Sequence, residues 1–241
     1  MKLFYFLGIS LISSSLLAEV PDAKSILAAA EVIRNPKVSY VGKIKITDQR
    51  PGTADDVRTY KVSSRDNSTA IVDYLTPVTD AGTRVLMVND DMWVALPKAS
   101  KPIRVAPKNK VVGNAAYGDI ATISYVEGYD PTFKEEKKIE NKDVYVLDLK
   151  AKDGKNVTYD RIEYWVEKAT SRPVKAFYMT SAGKVLREGV FTGYRKVLGM
   201  ERPLVLVLTN HLDQKLTTKI ELVDAEQKSL PQSLFQKSAL K

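Results

Sequence analysis

The chain has 241 residues, 44% of them hydrophobic and 27% charged, a globular composition that argues against disorder and low complexity. It holds no Cys and one His, which removes disulfides, thiolate metal sites, iron–sulfur clusters, cysteine nucleophiles and multi-histidine metal centres. Against 29 Asp and Glu stand 37 Lys and Arg, a formal net charge of +8 that favours anionic partners.

Met1 and Lys2 form a short basic start, residues 3–17 are apolar or small and uncharged, and Ala18 precedes the first acid, Glu19. This is the order of a secretory signal peptide, and the apolar run is shorter than the ~20 residues a bilayer-spanning helix needs. Residues 1–18 are expected to be cleaved after Ala18, leaving 19–241 as one exported domain; an uncleaved anchor is the alternative. A lipoprotein signal would end in Cys, so the exported chain is expected to be unlipidated. A disulfide-free exported protein fits a bacterial envelope.

Asp22 is a suitable helix N-cap; Ala23, Ile26, Leu27, Ala30 and Ile33 follow on one face, and Asn35-Pro36 stops the helix. From Val38 the period changes to two. Strands are expected over 38–47, 57–65, 69–75, 84–88 and 92–96, the last two joined by a tight turn at 89–91, with a short one at 103–105. Residues 114–129 fit either a helix or a lid-like loop. The second half predicts strands over 133–139, 144–151, 161–167, 174–180, 185–194, 204–210 and 217–223. Leu204 to Leu208 is apolar at every position, which predicts cover on both faces. About ten to twelve strands in series suit a large antiparallel sheet or barrel in one domain.

Few residues suggest covalent chemistry. Ser181 and Ser238 each begin an S-x-x-K match, but the first falls in an expected turn and the second at the chain end, without the companion motifs of serine acylases. His211 and Asp213 lie two apart at a strand end and read as ordinary polar positions. Asp55-Asp56 and Asp90-Asp91 read as turn residues. No catalytic residue, metal site or cofactor is expected. Lys98, Lys101, Arg104, Lys108 and Lys110 form an acid-free basic stretch, either a solvated face or a dock for an acidic partner or anionic headgroups. Many aromatics fall on the expected strands, and a curved sheet covered by one helix and a loop can enclose an apolar cavity suited to an acyl chain.

Several stretches together resemble the LolA-like family of periplasmic outer-membrane lipoprotein-sorting proteins. Asp80-Ala81-Gly82-Thr83-Arg84-Val85-Leu86 and then Asp91-Met92-Trp93-Val94-Ala95-Leu96-Pro97 resemble that family's central hairpin, and Lys101-Pro102-Ile103-Arg104-Val105 its following basic strand. Gly118-Asp119 with Ser124-Tyr125 is similar to a diluted Gly-Ser-Asp-aromatic tract. Tyr164-Trp165-Val166-Glu167, Pro173-Val174-Lys175-Ala176 and Tyr178 resemble the next strand pair, and Leu230-Pro231-Gln232-Ser233-Leu234-Phe235 the ending.

The resemblance covers roughly residues 22–241. It implies a mainly β fold with a few helices: an incomplete, half antiparallel β-barrel closed by helices around a hydrophobic cavity. It also implies non-enzymatic binding of lipoprotein acyl chains or lipids in the periplasm, with an inner-membrane transporter and an outer-membrane acceptor as partners and no nucleic acid. Strand parity then gives Trp93, Ala95, Tyr117, Ile120, Ile123, Tyr145, Leu147, Tyr164, Leu206 and Leu208 as the expected cavity wall. Lys101, Arg104 and Lys108 are the expected partner or headgroup contacts. The alternative is an envelope lipid sensor or adaptor working with a membrane partner such as a lipid exporter.

Overall fold

The computed structural model describes residues 22–121, 123–213 and 215–240, without the side chains of 110–112. The expected signal peptide, residues 1–18, and its cleavage after Ala18 lie outside the described residues.

Helix α1 (Ala23–Arg34) begins where the sequence places it. The Asp22 carboxylate accepts from the Lys24 and Ser25 amides at 3.1 and 3.2 Å, a cap worth about 0.5–2 kcal/mol. Leu27 and Ala30 are buried, as is Glu31, which the apolar pattern does not anticipate.

The chain then runs as an antiparallel meander through β1 (Tyr40–Gln49), β2 (Asp56–Ser64), β3 (Thr69–Thr76), β4 (Arg84–Val88), β5 (Asp91–Ala95) and β6 (Ile103–Val105). Alternation dictates the faces: Tyr40, Ile44 and Ile46 are buried, whereas Lys43 is exposed. The following stretch leaves the sheet. It holds a two-stranded pair, β7 (Lys110–Val112) with β8 (Ala115–Ala116), and two single helical turns, α2 (Tyr117–Ile120) and α3 (Tyr125–Gly128). Residues 114–129 are thus partly helical and partly loop.

The second meander comprises β9 (Tyr129–Ile139), β10 (Lys142–Ala151), β11 (Arg161–Glu167), β12 (Pro173–Met179) and β13 (Val185–Thr192). A side hairpin of β14 (Arg195–Val197) and β15 (Met200–Arg202) interrupts it, and β15 packs against α1. The main sheet resumes with β16 (Val205–Asn210) and β17 (Thr217–Gln227).

Antiparallel pairing of β1 with β17 fuses the two meanders into one 13-stranded sheet, ordered β6-β5-β4-β3-β2-β1-β17-β16-β13-β12-β11-β10-β9. The sheet does not close: β6 and β9 are its two edges. The fold is mainly β with a few helices, as expected; the thirteen strands of the main sheet fall on the thirteen segments predicted from the sequence, slightly more than the ten to twelve estimated, and the β7–β8 and β14–β15 pairs lie outside it.

One face of the sheet carries the core. Ile46, Tyr60, Val72, Met87, Leu147, Tyr164, Tyr178 and Leu208 form one buried cluster with Leu27 and Ala30 of α1 and with Ile120, Ile123 and Tyr125 of the 115–128 segment. This inner face is therefore covered by α1 and by that segment, not by a second sheet. The opposite, outer face is covered locally, where two 3₁₀ turns (Gln232–Phe235 and Lys237–Leu240) lay Phe235 and Leu240 on Ile71, Leu86 and Ala95.

One strand expectation is overturned. Residues 204–208 are not covered on both faces: Leu204, Val205, Leu206 and Val207 are half-buried and only Leu208 is fully buried. The outer-face turns pack mainly on β3–β5, and on the inner side Leu206 borders a cavity.

Candidate functional site

The inner face is closed by polar ties between its covers. Arg34, at the last turn of α1, makes a bidentate pair with Glu31, closest at 2.8 Å. The same guanidinium donates to the Ile123 carbonyl at 2.7 Å and lies 3.6 Å from the centre of the Tyr125 ring. Glu31 in turn accepts from the Tyr125 amide at 3.1 Å. One buried ion pair thus holds both α1 and the 115–128 segment.

A second buried cluster fastens that segment to the sheet. Asp119 accepts from the Ala116 amide at 2.8 Å and from the Tyr159 hydroxyl at 2.9 Å, and it pairs with Arg187 of β13 at 3.5 Å. Arg187 also donates to the Tyr159 hydroxyl at 2.8 Å. Burial raises the Asp119 pKa, and the Arg187 charge opposes that rise only in part. Tyr159 stacks on Tyr178 with ring centres 4.2 Å apart. Tyr178 can lie flat across β13 because residue 189 is Gly; a Cβ there would come within 2.8 Å of its ring. Burial pushes the phenols of Tyr129, Tyr159, Tyr164 and Tyr178 well above their ordinary range, so all four are neutral at physiological pH.

Several cavities open along the rim of this cover, of which three bear on the apolar face. An apolar groove of about 390 Å³ lies between α1, α3 and the side hairpin, walled by Ala28, Val32, Pro36, Val38, Val126 and Met200. Next to it, sharing Lys37, Asn67 and Glu127, is a more polar depression of about 300 Å³. A smaller cavity of about 90 Å³ enters the sheet at β16, between Arg34, Phe191, Leu204, Leu206, Ile220 and Leu222. The first two fall at the low end of the roughly 300–1,000 Å³ typical of ligand sites, and the third is well below it. Most of the inner face is filled by its own side chains.

The expected wall residues are distributed as follows. Leu147, Tyr164, Leu208, Ile120 and Ile123 belong to the inner cluster, with Tyr117 and Leu206 half-buried against it. Tyr145 is half-buried and meets Phe133 edge-on at 6.3 Å beneath the Lys168 ammonium. Trp93 and Ala95 pack on the outer face with Phe235 and Leu240, and the Lys237 ammonium sits 4.2 Å from the Trp93 ring centre. Lys101, Arg104 and Lys108 are exposed, but Arg104 is engaged by Asp91. Ser181 lies in an exposed turn, its amide bound to Asp160. Sequence reasoning does not single out Arg34, Arg187 or Arg202, and it names Asp119 only within the Gly118-Asp119 tract, without an anchoring role. The one available signal was Glu31 and Arg34, a charged i,i+3 pair in an otherwise small and apolar helix.

A LolA superfamily protein from Nitrosomonas europaea is 31% identical, with 90% of this chain and 98% of that one aligned at a TM-score of 0.84. The chain belongs to the LolA superfamily. A family model described only as that of an uncharacterized protein matches residues 66–241. Two further structures share the fold at 20% identity and a TM-score of 0.78. One is a domain from Vibrio parahaemolyticus assigned provisionally to outer membrane lipoprotein sorting, with 90% of this chain and 97% of that chain covered. The other is a DUF1329 family protein from Desulfovibrio piger, with 91% and 98% covered. A search of curated proteins finds no match. Among the described residues, no helix is long and apolar enough to cross a membrane.

Proposed function

We propose that residues 19–241 form a single periplasmic carrier domain that binds the acyl chains of lipoproteins or lipids and conveys them towards the outer membrane, without covalent chemistry. The observation that carries this reading is the way the apolar face is covered. An open 13-stranded antiparallel sheet presents its hydrophobic side to α1 and to a 115–128 segment of one short strand and two single helical turns. Such a segment has little helical stability of its own and depends on its ties to Glu31, Arg34 and Arg187. Lifting it would expose the hydrophobic cavity floor at Tyr164, Leu147 and Leu208. Each methylene then sequestered contributes about 0.8 kcal/mol, so one long chain is enough for reversible binding.

The exposed lysines of the β5–β7 region, Lys98, Lys101 and Lys108, supply the surface for an anionic membrane, an inner-membrane transporter or an outer-membrane acceptor. The test is native mass spectrometry of protein taken from the periplasm without detergent, followed by organic extraction of what it holds. Lipid or acylated protein at near-stoichiometric level supports the carrier. A bare mass that persists after exposure to envelope lipids and lipoproteins rejects it.

A further inference from the structure

Arg202, the last residue of β15, is 6% exposed, yet its Nε and Nη1 have no hydrogen-bond partner. Its Nη2 reaches the Arg34 carbonyl at the end of α1, at a long 3.4 Å, and the guanidinium lies 5.6 Å from the centre of the Tyr40 ring. Among the described residues no carboxylate pairs with it. Its neighbour Glu201 is engaged by Arg172, Glu31 by Arg34, and Asp119 by Arg187 and Tyr159. Burial lowers its pKa; the Tyr40 phenol opposes that shift and Arg34 adds to it. Arginine is almost never left buried without an anion, because its fixed N–H directions are satisfied best by a planar or tetrahedral oxyanion.

The place of this charge is specific. Met200, two residues before it, lines the 390 Å³ apolar groove. Pro203 and Leu204, immediately after it, line the cavity that runs in at β16, as does Arg34, whose carbonyl it touches. Tyr164 has the same unmet need: its buried hydroxyl has no partner, and its ring meets Phe191 of the cavity wall edge-on at 6.1 Å. Arg202 thus sits in the stretch of chain that joins the two cavities, with Met200 on one lining and Pro203 and Leu204 on the other, and its guanidinium is short of hydrogen-bond partners.

We propose that Arg202 is a head-group site: it takes the carboxylate or phosphate of a single-chain anionic amphiphile whose tail lies along the adjoining apolar cavities. This rests on the acyl-binding reading above and narrows it to cargo with a free anionic head.

The test titrates the full exported chain with oleate, with oleyl alcohol and with inorganic phosphate alone. Oleate should bind at least tenfold tighter than the alcohol, and phosphate alone far more weakly than either. Arg202→Met should bring oleate to the level of the alcohol without lowering the melting temperature. Equal affinity of the unmodified chain for oleate and the alcohol overturns the head-group site and leaves the carrier standing. Binding of neither amphiphile overturns the carrier reading and this one with it. Phosphate alone as tight as oleate assigns the site to the free ion and overturns the amphiphile. A lower melting temperature in Arg202→Met, with both amphiphiles weakened alike, makes Arg202 a brace for α1 and also overturns it. The comparison on the unmodified chain decides even where Arg202→Met fails to fold.

Discussion

Arg34 donates to the Ile123 carbonyl at 2.7 Å across a sequence separation of 89 residues, while its other contacts hold Glu31 and the Tyr125 ring. One side chain therefore couples the end of α1 to the centre of the segment that covers the sheet. The two covers are not independent: the ion pair that steadies Glu31 also supplies the donor that holds residue 123.

Arg34→Lys separates these roles. A lysine keeps the charge beside Glu31 but has no fork with which to reach Ile123 at the same time, and it stacks less well on Tyr125. Loss of one charge-assisted hydrogen bond, about 1.5–3 kcal/mol, should raise local opening of residues 117–128 by roughly 10- to 100-fold. Amide hydrogen exchange reads this directly. Unchanged protection over 117–128 would show that the Arg34–Ile123 contact does not hold the cover.

Asp119 makes the anchor of the same segment sensitive to pH. Its folded pKa lies above the ordinary 3.8 because burial disfavours the carboxylate and Arg187 only partly compensates. As pH rises from acid, the unfolded chain gives up this proton first, so the folded state loses stability between the unfolded and the folded pKa. Asp119→Asn abolishes that titration. The stability of the parent chain relative to this variant should therefore fall as pH rises from about 4 and level off above the folded pKa. Urea unfolding at pH 4, 5.5 and 7 measures this trend. A difference independent of pH would show that Asp119 has an ordinary pKa.

Much of the sheet is legible in the sequence because one face is apolar and the other polar. In β1 and β11 alternation alone places Ile44, Ile46, Ile162 and Tyr164 inward. The same rule loses its information in β5, where both faces are covered. There Met92 and Val94 enter the inner cluster, while Trp93 and Ala95 serve the outer one under residues 230–240. Parity cannot separate two apolar sets that each have a partner. The β14–β15 hairpin is short and rich in Arg and Lys, so it carries no hydrophobic period. The 115–128 segment is held by side-chain contacts to Arg34, Glu31 and Asp119 that lie far apart in the chain. Buried Arg34, Arg187 and Arg202 are the least legible, because a charge in a sequence reads as surface until its surroundings are known.

The basic loop does not act as a uniform patch. Arg104 is engaged by Asp91, whereas Lys101 and Lys108 are exposed without an ion pair among the described residues. Reversing the two lysines, Lys101→Glu with Lys108→Glu, should weaken binding to vesicles containing anionic lipid, each lost cation costing about 1 kcal/mol or roughly fivefold. Raising salt should shrink the difference, since exposed charges are screened. Arg104→Glu should have the smaller effect on the same vesicles. Stability should change by no more than about 0.5 kcal/mol in the lysine variant. Vesicle co-sedimentation checks this; equal binding by both variants and the parent chain would remove the loop from the membrane-facing surface.

Trp93 and Leu206 were both expected on the cavity wall, and the structure places them on opposite sides of the sheet. Trp93→Ala removes a half-buried ring from beneath Leu230, Leu234 and the Lys237 ammonium. It should destabilise the chain by about 1–3 kcal/mol and loosen residues 230–240, with little change in affinity for a fluorescent fatty acid. Leu206→Trp instead fills the cavity between Phe191, Leu204 and Leu222. It should weaken fatty-acid binding at least tenfold, at a stability cost of about 1–3 kcal/mol from overpacking. The pair of variants, measured by urea unfolding and by ligand titration, separates the two faces. If Trp93→Ala is the one that abolishes binding, the ligand lies on the outer face beneath the C-terminal turns, and the covered inner face is a structural core alone.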